Sequence, residues 1–149
     1  MAARKINNKQ LGQLLLDQKI ISQEQLEQAL GLQRDRGGLI GETLVDLGYV
    51  KEDDIAQSLT AQYGFPYLSI GSHDISPEII SIIPCMLARK YLLVPIDKIG
   101  NNLTLAMSNP LNMQAIDDVE LLSGCSVQAF VSTSSDIKRA IEKYYKNKE

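Results

Sequence analysis

Residues 10–33 read QLGQLLLDQKIISQEQLEQALGLQ, and residues 39–62 read LIGETLVDLGYVKEDDIAQSLTAQ. At a constant offset of 29 the two stretches superpose without a gap. Gly12 then meets Gly41, Leu15 meets Leu44, Asp17 meets Asp46, Gln28 meets Gln57, Leu30 meets Leu59 and Gln33 meets Gln62. Apolar character is kept at Leu11/Ile40, Leu16/Val45, Ile21/Val50 and Leu26/Ile55. Five residues, Arg34-Asp35-Arg36-Gly37-Gly38, separate the copies. Register kept over 24 positions marks a duplication and not two unrelated amphipathic helices.

Each copy reads as a short helix, a tight turn and a longer helix. Leu11, Leu14, Leu15 and Gln18 follow helical spacing, and a turn is predicted near Lys19. Ser22 with Gln25 three residues on has the form of a capping box. Leu26, Ala29, Leu30 and Gln33 mark one face of the helix that follows. In the second copy Gly48 supplies the stop. Glu52, Asp53 and Asp54 then fill the first turn of the next helix, where acids complement the dipole.

Beyond Gln62 the texture changes. Phe65–Ile70 is predicted to be extended. Ser76-Pro77-Glu78 opens a short helix through Ile83, with proline at the favoured first position, and Pro84 begins another that ends near Lys90. Leu92–Ile99 and Asn102–Met107 are strand-like, with Gly100-Asn101 as a hairpin signal. Asn112–Ser123 is a helix closed by Gly124, Ser126–Val131 a third strand, and Ser135–Lys146 a terminal helix. The expected class is α+β. A helical unit of two repeated helix-turn-helix motifs (residues 1–68) precedes a small α+β unit with a three-stranded sheet (69–149).

Bulk properties narrow the function classes. The chain has 149 residues, 44% of them hydrophobic and 22% charged, and a formal net charge of −3. Its basic residues are scattered, which argues against binding a nucleic acid polymer, since that needs concentrated phosphate neutralisation. No apolar run approaches the roughly 20 residues of a membrane span, and Met1–Gln10 lacks the apolar segment of a signal peptide. Cys85 and Cys125 lack metal or redox spacing and read as buried thiols. A cytoplasmic location is therefore expected. The single histidine, His73, sits among Ser72 and Asp74 and does not suggest a metal or triad site. No GxxxxGK[ST] phosphate loop is present, so no ATP hydrolysis is expected. The chain reads as a non-enzymatic binding domain without a cofactor.

A duplicated motif offers two equivalent half-sites to a ligand with two equal halves. Gly12 and Gly41 would let backbone N–H groups approach a phosphate. Leu15, Leu26 and Leu30, with Leu44, Ile55 and Leu59, would offer apolar surface to a purine. Gln33 and Gln62 carry donors and acceptors suited to a base edge. The same leucines would equally serve as the core of a helical bundle.

The doubled LG-xx-LL…L…L…Q pattern resembles the MshEN-type domain found at the N-terminal part of type II secretion and type IV pilus assembly ATPases. Gly64-Phe65-Pro66-Tyr67, Leu92-Leu93-Val94-Pro95-Ile96, Ala106-Met107-Ser108-Asn109-Pro110 and Ala115-Ile116-Asp117-Asp118 extend the likeness over nearly the whole chain. The resemblance implies binding of cyclic di-GMP. Leu11, Gly12, Leu15, Leu16, Ile20, Ile21, Leu26, Leu30 and Gln33 match the first motif. Ile40, Gly41, Leu44, Val45, Gly48, Tyr49, Val50, Ile55, Leu59 and Gln62 match the second.

Three positions depart from the family pattern. Gln10 and Leu39 stand where the family usually opens its motif with arginine, Lys19 replaces the mid-motif glycine of copy one, and Asn109 replaces a frequent acidic residue. An arginine–guanine pair is worth roughly 1–3 kcal/mol, so its loss weakens binding unless Lys9, Arg34 or Arg36 compensates. The expected ligand set is thus Gln10, Leu11, Gly12, Leu15, Leu26, Leu30, Gln33, Arg36, Leu39, Ile40, Gly41, Leu44, Ile55, Leu59, Gln62 and Asn109. The resemblance also implies a secretion or pilus ATPase, or another protein, as partner. The alternative expectation is a protein–protein docking module of such a system, with a degenerate nucleotide site.

Overall fold

The computed structural model describes the backbone of residues 8–145 and the side chains of residues 11–145. Eight α-helices and three strands occur among them. Copy one supplies α1 (Asn8–Asp17) and α2 (Gln23–Arg36), and copy two supplies α3 (Ile40–Asp46) and α4 (Glu52–Tyr63). The Ser22 hydroxyl accepts from the Gln25 N–H while the Gln25 amide oxygen accepts from the Ser22 N–H, so both halves of the predicted capping box form.

The two inter-helix turns are built alike. After α1 the Lys19 N–H donates to Leu16 O and the Ile20 N–H to Leu15 O; after α3 the Gly48 N–H donates to Val45 O and the Tyr49 N–H to Leu44 O. This is the Schellman pairing, which needs a left-handed residue at its corner. Lys19 (φ 62°) and Gly48 (φ 80°) occupy that corner.

The extended segment after α4 reaches the sheet at one end, where Tyr67 bridges Val131 in parallel and the Leu68 N–H donates to Val131 O. A single 3-10 turn at Ile70–Ser72 and the short helices α5 (Pro77–Ile80) and α6 (Cys85–Tyr91) follow. Strands β1 (Leu93–Ile99) and β2 (Asn102–Met107) pair antiparallel, with a register break between Pro95 and Asp97. The chain then crosses through α7 (Met113–Ser123) to β3 (Ser126–Val131), which lies parallel to β2. Asn112 caps α7 through the Ala115 N–H, and Gly124 ends it at φ 71°. Helix α8 (Ser134–Tyr145) closes the fold against β1, β2, α5 and α6; the expected extension to Lys146 lies outside the described residues. The class is α+β with a mixed three-stranded sheet, ordered β1-β2-β3.

Two apolar clusters fill the molecule. The larger wraps the sheet and runs from Leu68 to Tyr145, whose buried hydroxyl bonds the carbonyls of Ile80 and Ile83. The smaller is the core of the repeat, and Leu111 and Val131 are sunk into it from the α+β side. Leu39 reaches the other way and packs against the larger cluster. Periodicity says that a residue is buried, not against which neighbour, so these three crossings have no signature in sequence. Cys85 and Cys125 are buried and unbridged.

Candidate nucleotide-binding site

The four repeat helices pack as an exchange-symmetric set. Helix α1 touches α3, α1 touches α4 and α2 touches α3, besides the contacts within each copy. Swapping α1 with α3 and α2 with α4 maps this contact set onto itself. A translational stack would not do so, whereas an approximate two-fold does. The glycines follow the same rule. A Cβ on Gly12 would lie 2.7 Å from Leu26 Cδ1, and one on Gly41 would lie 3.5 Å from Ile55 Cδ1, the equivalent residue. Leu11 crosses between copies, its Cδ2 3.2 Å from the same Gly41 position. Each glycine thus packs against the equivalent apolar residue of its own copy, where close helix packing uses the space that a side chain would fill, and Gly41 alone has the other copy's Leu11 as its nearest neighbour.

The expected ligand residues divide into three groups. Leu15, Ile40, Leu44 and Leu59 are 0% exposed, and Leu11, Leu26 and Ile55 are buried with them in the repeat core. In this state they face one another, so a purine reaches them only if the helices shift. Leu30, Leu39 and Gln33 are half-buried, while Arg36 and Gln62 are exposed. The side chain of Gln10, like that of Lys9, lies outside the described residues.

The closing glutamines differ. Gln33 Nε2 donates to Gly38 O at 2.9 Å, which ties α2 to the left-handed Gly37-Gly38 spacer. Gln62 instead lines an open hollow with Gln13, Leu14, Asp17, Gln18 and Tyr63. Cross-copy polar contact runs through Tyr49, whose hydroxyl bonds the amide oxygen of Gln28.

Five of the expected residues, Leu11, Leu39, Gly41, Ile55 and Asn109, converge on one small cavity at the seam between the repeat and the α+β unit. Its volume is about 20 Å³, the size of a single water. Ser108, Ser132, Thr133 and Ser134 line it as well, together with Glu42 and Glu52. Asn109 is buried there, its Oδ1 accepting from the Leu111 N–H at 3.1 Å. An aspartate in that place would accept the same bond with a charge added.

The sequence reading missed the serine–threonine wall and the role of both glutamates. Glu52 Oε1 accepts from the Ser135 N–H at 2.8 Å and its other oxygen takes the Ser135 hydroxyl. Glu42 pairs with Lys138. The hydrogen bond to Glu42 is the main cause of a raised Lys138 pKa. Tyr67, half exposed beside the seam, is raised by burial first and then by Asp136 and Asp53. Dipole complementarity alone predicts acids at a helix start, and partners 83 residues away leave no local trace.

The family model of the MshEN domain matches residues 63–149. The chain belongs to the MshEN domain family. The matched span is the part after the duplication, and whole-chain relatives extend the likeness through it. The type IV pilus assembly ATPase PilB of Myxococcus xanthus is 37% identical over 138 residues, 93% of this MshEN chain and 24% of that protein. PilB of Thermus thermophilus is 31% identical over 147 residues, 97% of this chain and 16% of its own length. The chain thus spans a quarter or less of these curated relatives. Among solved structures, MshE with cyclic di-GMP superposes with a TM-score of 0.66 at 26% identity, covering 91% of this chain and 98% of that one. The N-terminal domain of XpsE superposes with a TM-score of 0.76 at 22% identity, over 93% and 96%, and speaks for the fold alone. Among the described residues of this MshEN domain, no helix is long and apolar enough to cross a membrane. None of its His, Cys, Asp and Glu side chains there form a group able to hold a metal ion.

Proposed function

We propose that this MshEN domain is a cyclic di-GMP receptor that holds one dinucleotide across its two motifs and regulates a pilus or secretion ATPase from a cytoplasmic position. The observation that carries the reading is the exchange symmetry of the repeat, with Gly12 against Leu26 answering Gly41 against Ile55. A ligand of two equal halves meets equivalent groups only on a receptor with that symmetry. The MshE structure with cyclic di-GMP, similar over 91% of this chain, supports the choice of dinucleotide. The ligand set named from sequence is the proposed site, with Leu39, Gly41, Ile55 and Asn109 at the seam as its innermost part. Arg34 and Arg36, exposed in the spacer between the two motifs, are proposed to balance the phosphates in place of the absent motif arginines.

The test is calorimetry and thermal denaturation with cyclic di-GMP against GMP, GTP and ATP. At 100 times its dissociation constant a ligand adds about 2.7 kcal/mol, a rise of roughly 5–10 °C for a domain of this size. We expect a selective response with one dinucleotide per chain, reduced in Gln33→Ala and Gln62→Ala. A folded sample that ignores millimolar cyclic di-GMP, or one that binds two independent mononucleotides, refutes it.

A second reading, a protein-docking module with a degenerate site, is favoured by one feature. The seam cavity has room for only one water and is lined by two carboxylates, which repel a dianion. The flat calorimetric response that ends the first reading is what the second expects.

A further inference from the structure

Helix α8 is gripped on one face by both helices of copy two. Ser135 and Lys138 lie three residues apart, so they share a face of α8. Glu52 of α4 takes the Ser135 N–H and hydroxyl, and Glu42 of α3 takes the Lys138 ammonium. The Ser135 N–H belongs to the helix start, where backbone donors lack partners within the helix and an anion is favoured. The cavity lies directly at this grip, since Glu42, Glu52, Thr133 and Ser134 are among its walls.

Copy one shows that the repeat does not need these carboxylates to fold. The positions equivalent to Glu42 and Glu52 are Gln13 and Gln23. Their amides are used within their own helices, Gln13 to Asp17 at 2.9 Å and Gln23 to Glu27 at 3.1 Å. The acids of copy two break the symmetry of the duplication, and both reach α8.

We propose that Glu42 and Glu52 form a clasp that holds the repeat shut on α8, and that this clasp competes with the nucleotide for the seam. The inference rests on the nucleotide reading above and assigns its regulation. A space of about 20 Å³ has room for one water and not for a guanine ring, so seating a base in the seam and keeping the clasp exclude one another. Linkage makes the effect reciprocal: whatever loosens the clasp tightens binding, and bound ligand frees the first turn of α8.

The experiment compares cyclic di-GMP affinity in the unaltered chain, in Glu42→Gln/Glu52→Gln (the residues copy one already carries), in Ser135→Ala and in Lys138→Met. Amide exchange at Ser135–Ile137 is read on each chain without ligand. Coupled sites differ by about 5–150-fold in affinity, and we expect about ten-fold tighter binding in the double glutamine variant. A smaller gain is expected in Ser135→Ala and Lys138→Met, with faster exchange in all three. Lys138→Met decides between causes. Simple charge repulsion predicts that removing a cation weakens binding of a dianion, whereas the clasp predicts that it strengthens binding. Binding by the unaltered chain with no gain in Lys138→Met or Ser135→Ala overturns the clasp. So does unchanged exchange at α8. Absence of binding by every chain overturns the nucleotide reading and the linkage with it, while the exchange data still report whether the grip exists.

Discussion

Glycine at position 19 should make this protein more stable than alanine there, by an amount set by one dihedral angle. Lys19 stands at φ 62°, the corner of the turn between α1 and α2, and the equivalent corner in copy two is Gly48 at φ 80°. An L-residue in the left-handed region costs roughly 1–2 kcal/mol. Glycine escapes that cost but loses more chain entropy on folding, by about 0.5–1 kcal/mol. The balance favours glycine over alanine by about 0.75 kcal/mol at the centre of these ranges, a rise of roughly 1.5–3 °C in Tm. The lysine ammonium is exposed just beyond the end of α1, where a cation gains about 0.3–1 kcal/mol from the helix dipole. Lys19→Ala removes that charge and keeps the strained backbone, so the Gly–Ala difference isolates the angle. Gly48→Ala runs the test in reverse, and a Cβ there meets nothing within 4 Å, so no clash confuses the result. Urea unfolding at constant m-value, with midpoints for all three variants, is the assay. If Lys19→Gly is no more stable than Lys19→Ala, or Gly48→Ala costs nothing, the Schellman reading of the two turns is wrong.

Two further perturbations address the packing. Tyr145→Phe leaves the buried Ile83 carbonyl without its hydroxyl partner, while Ile80 O keeps the Ile83 N–H; an unmet buried acceptor costs about 1–3 kcal/mol, to be seen as a lowered urea midpoint with the fold retained by circular dichroism. Burial first, and then the hydrogen bond to Asp118, push Tyr91 up to about 12. A folded-state pKa above the unfolded value of 10.0 means its contribution is complete below pH 10 and is lost as pH climbs from 10 towards 12. Stability measured across that window should fall less steeply in Tyr91→Phe than in the unaltered chain.

Local chemistry made most of the fold readable. The Ser22–Gln25 box, the Gly100-Asn101 hairpin and the Gly124 stop each act within a few residues, and each is formed. The short helix after Pro77 stops at Ile80, earlier than the Ile83 expected, and the bonds that follow it are turn-like, Ile79 O to Ile82 N and Ile80 O to Ile83 N. Ser81 has its hydroxyl turned back onto Glu78 O, and Pro84 follows closely, which disfavours further helix before it. What could not be read was long-range. The parallel pairing of β3 with β2, the descent of Leu111 and Val131 into the repeat core, and the bonds of Glu52 to Ser135 all join residues far apart in sequence.

The site was legible only as far as symmetry goes. Duplication predicts equivalent positions, and Gly12/Gly41 with Leu26/Ile55 keep that promise. It is silent on where the copies must differ. Among the differences, Gln13/Glu42 and Gln23/Glu52 separate a copy bonded to itself from a copy bonded to α8. A perfectly two-fold receptor would report occupancy equally to both sides and could push on neither. Because Glu42 and Glu52 bond to α8 while the equivalent Gln13 and Gln23 bond within their own helices, a ligand seated symmetrically on the repeat, as proposed, would be felt asymmetrically by the rest of the chain. That asymmetry is the physical requirement for a symmetric dinucleotide to drive a directed change.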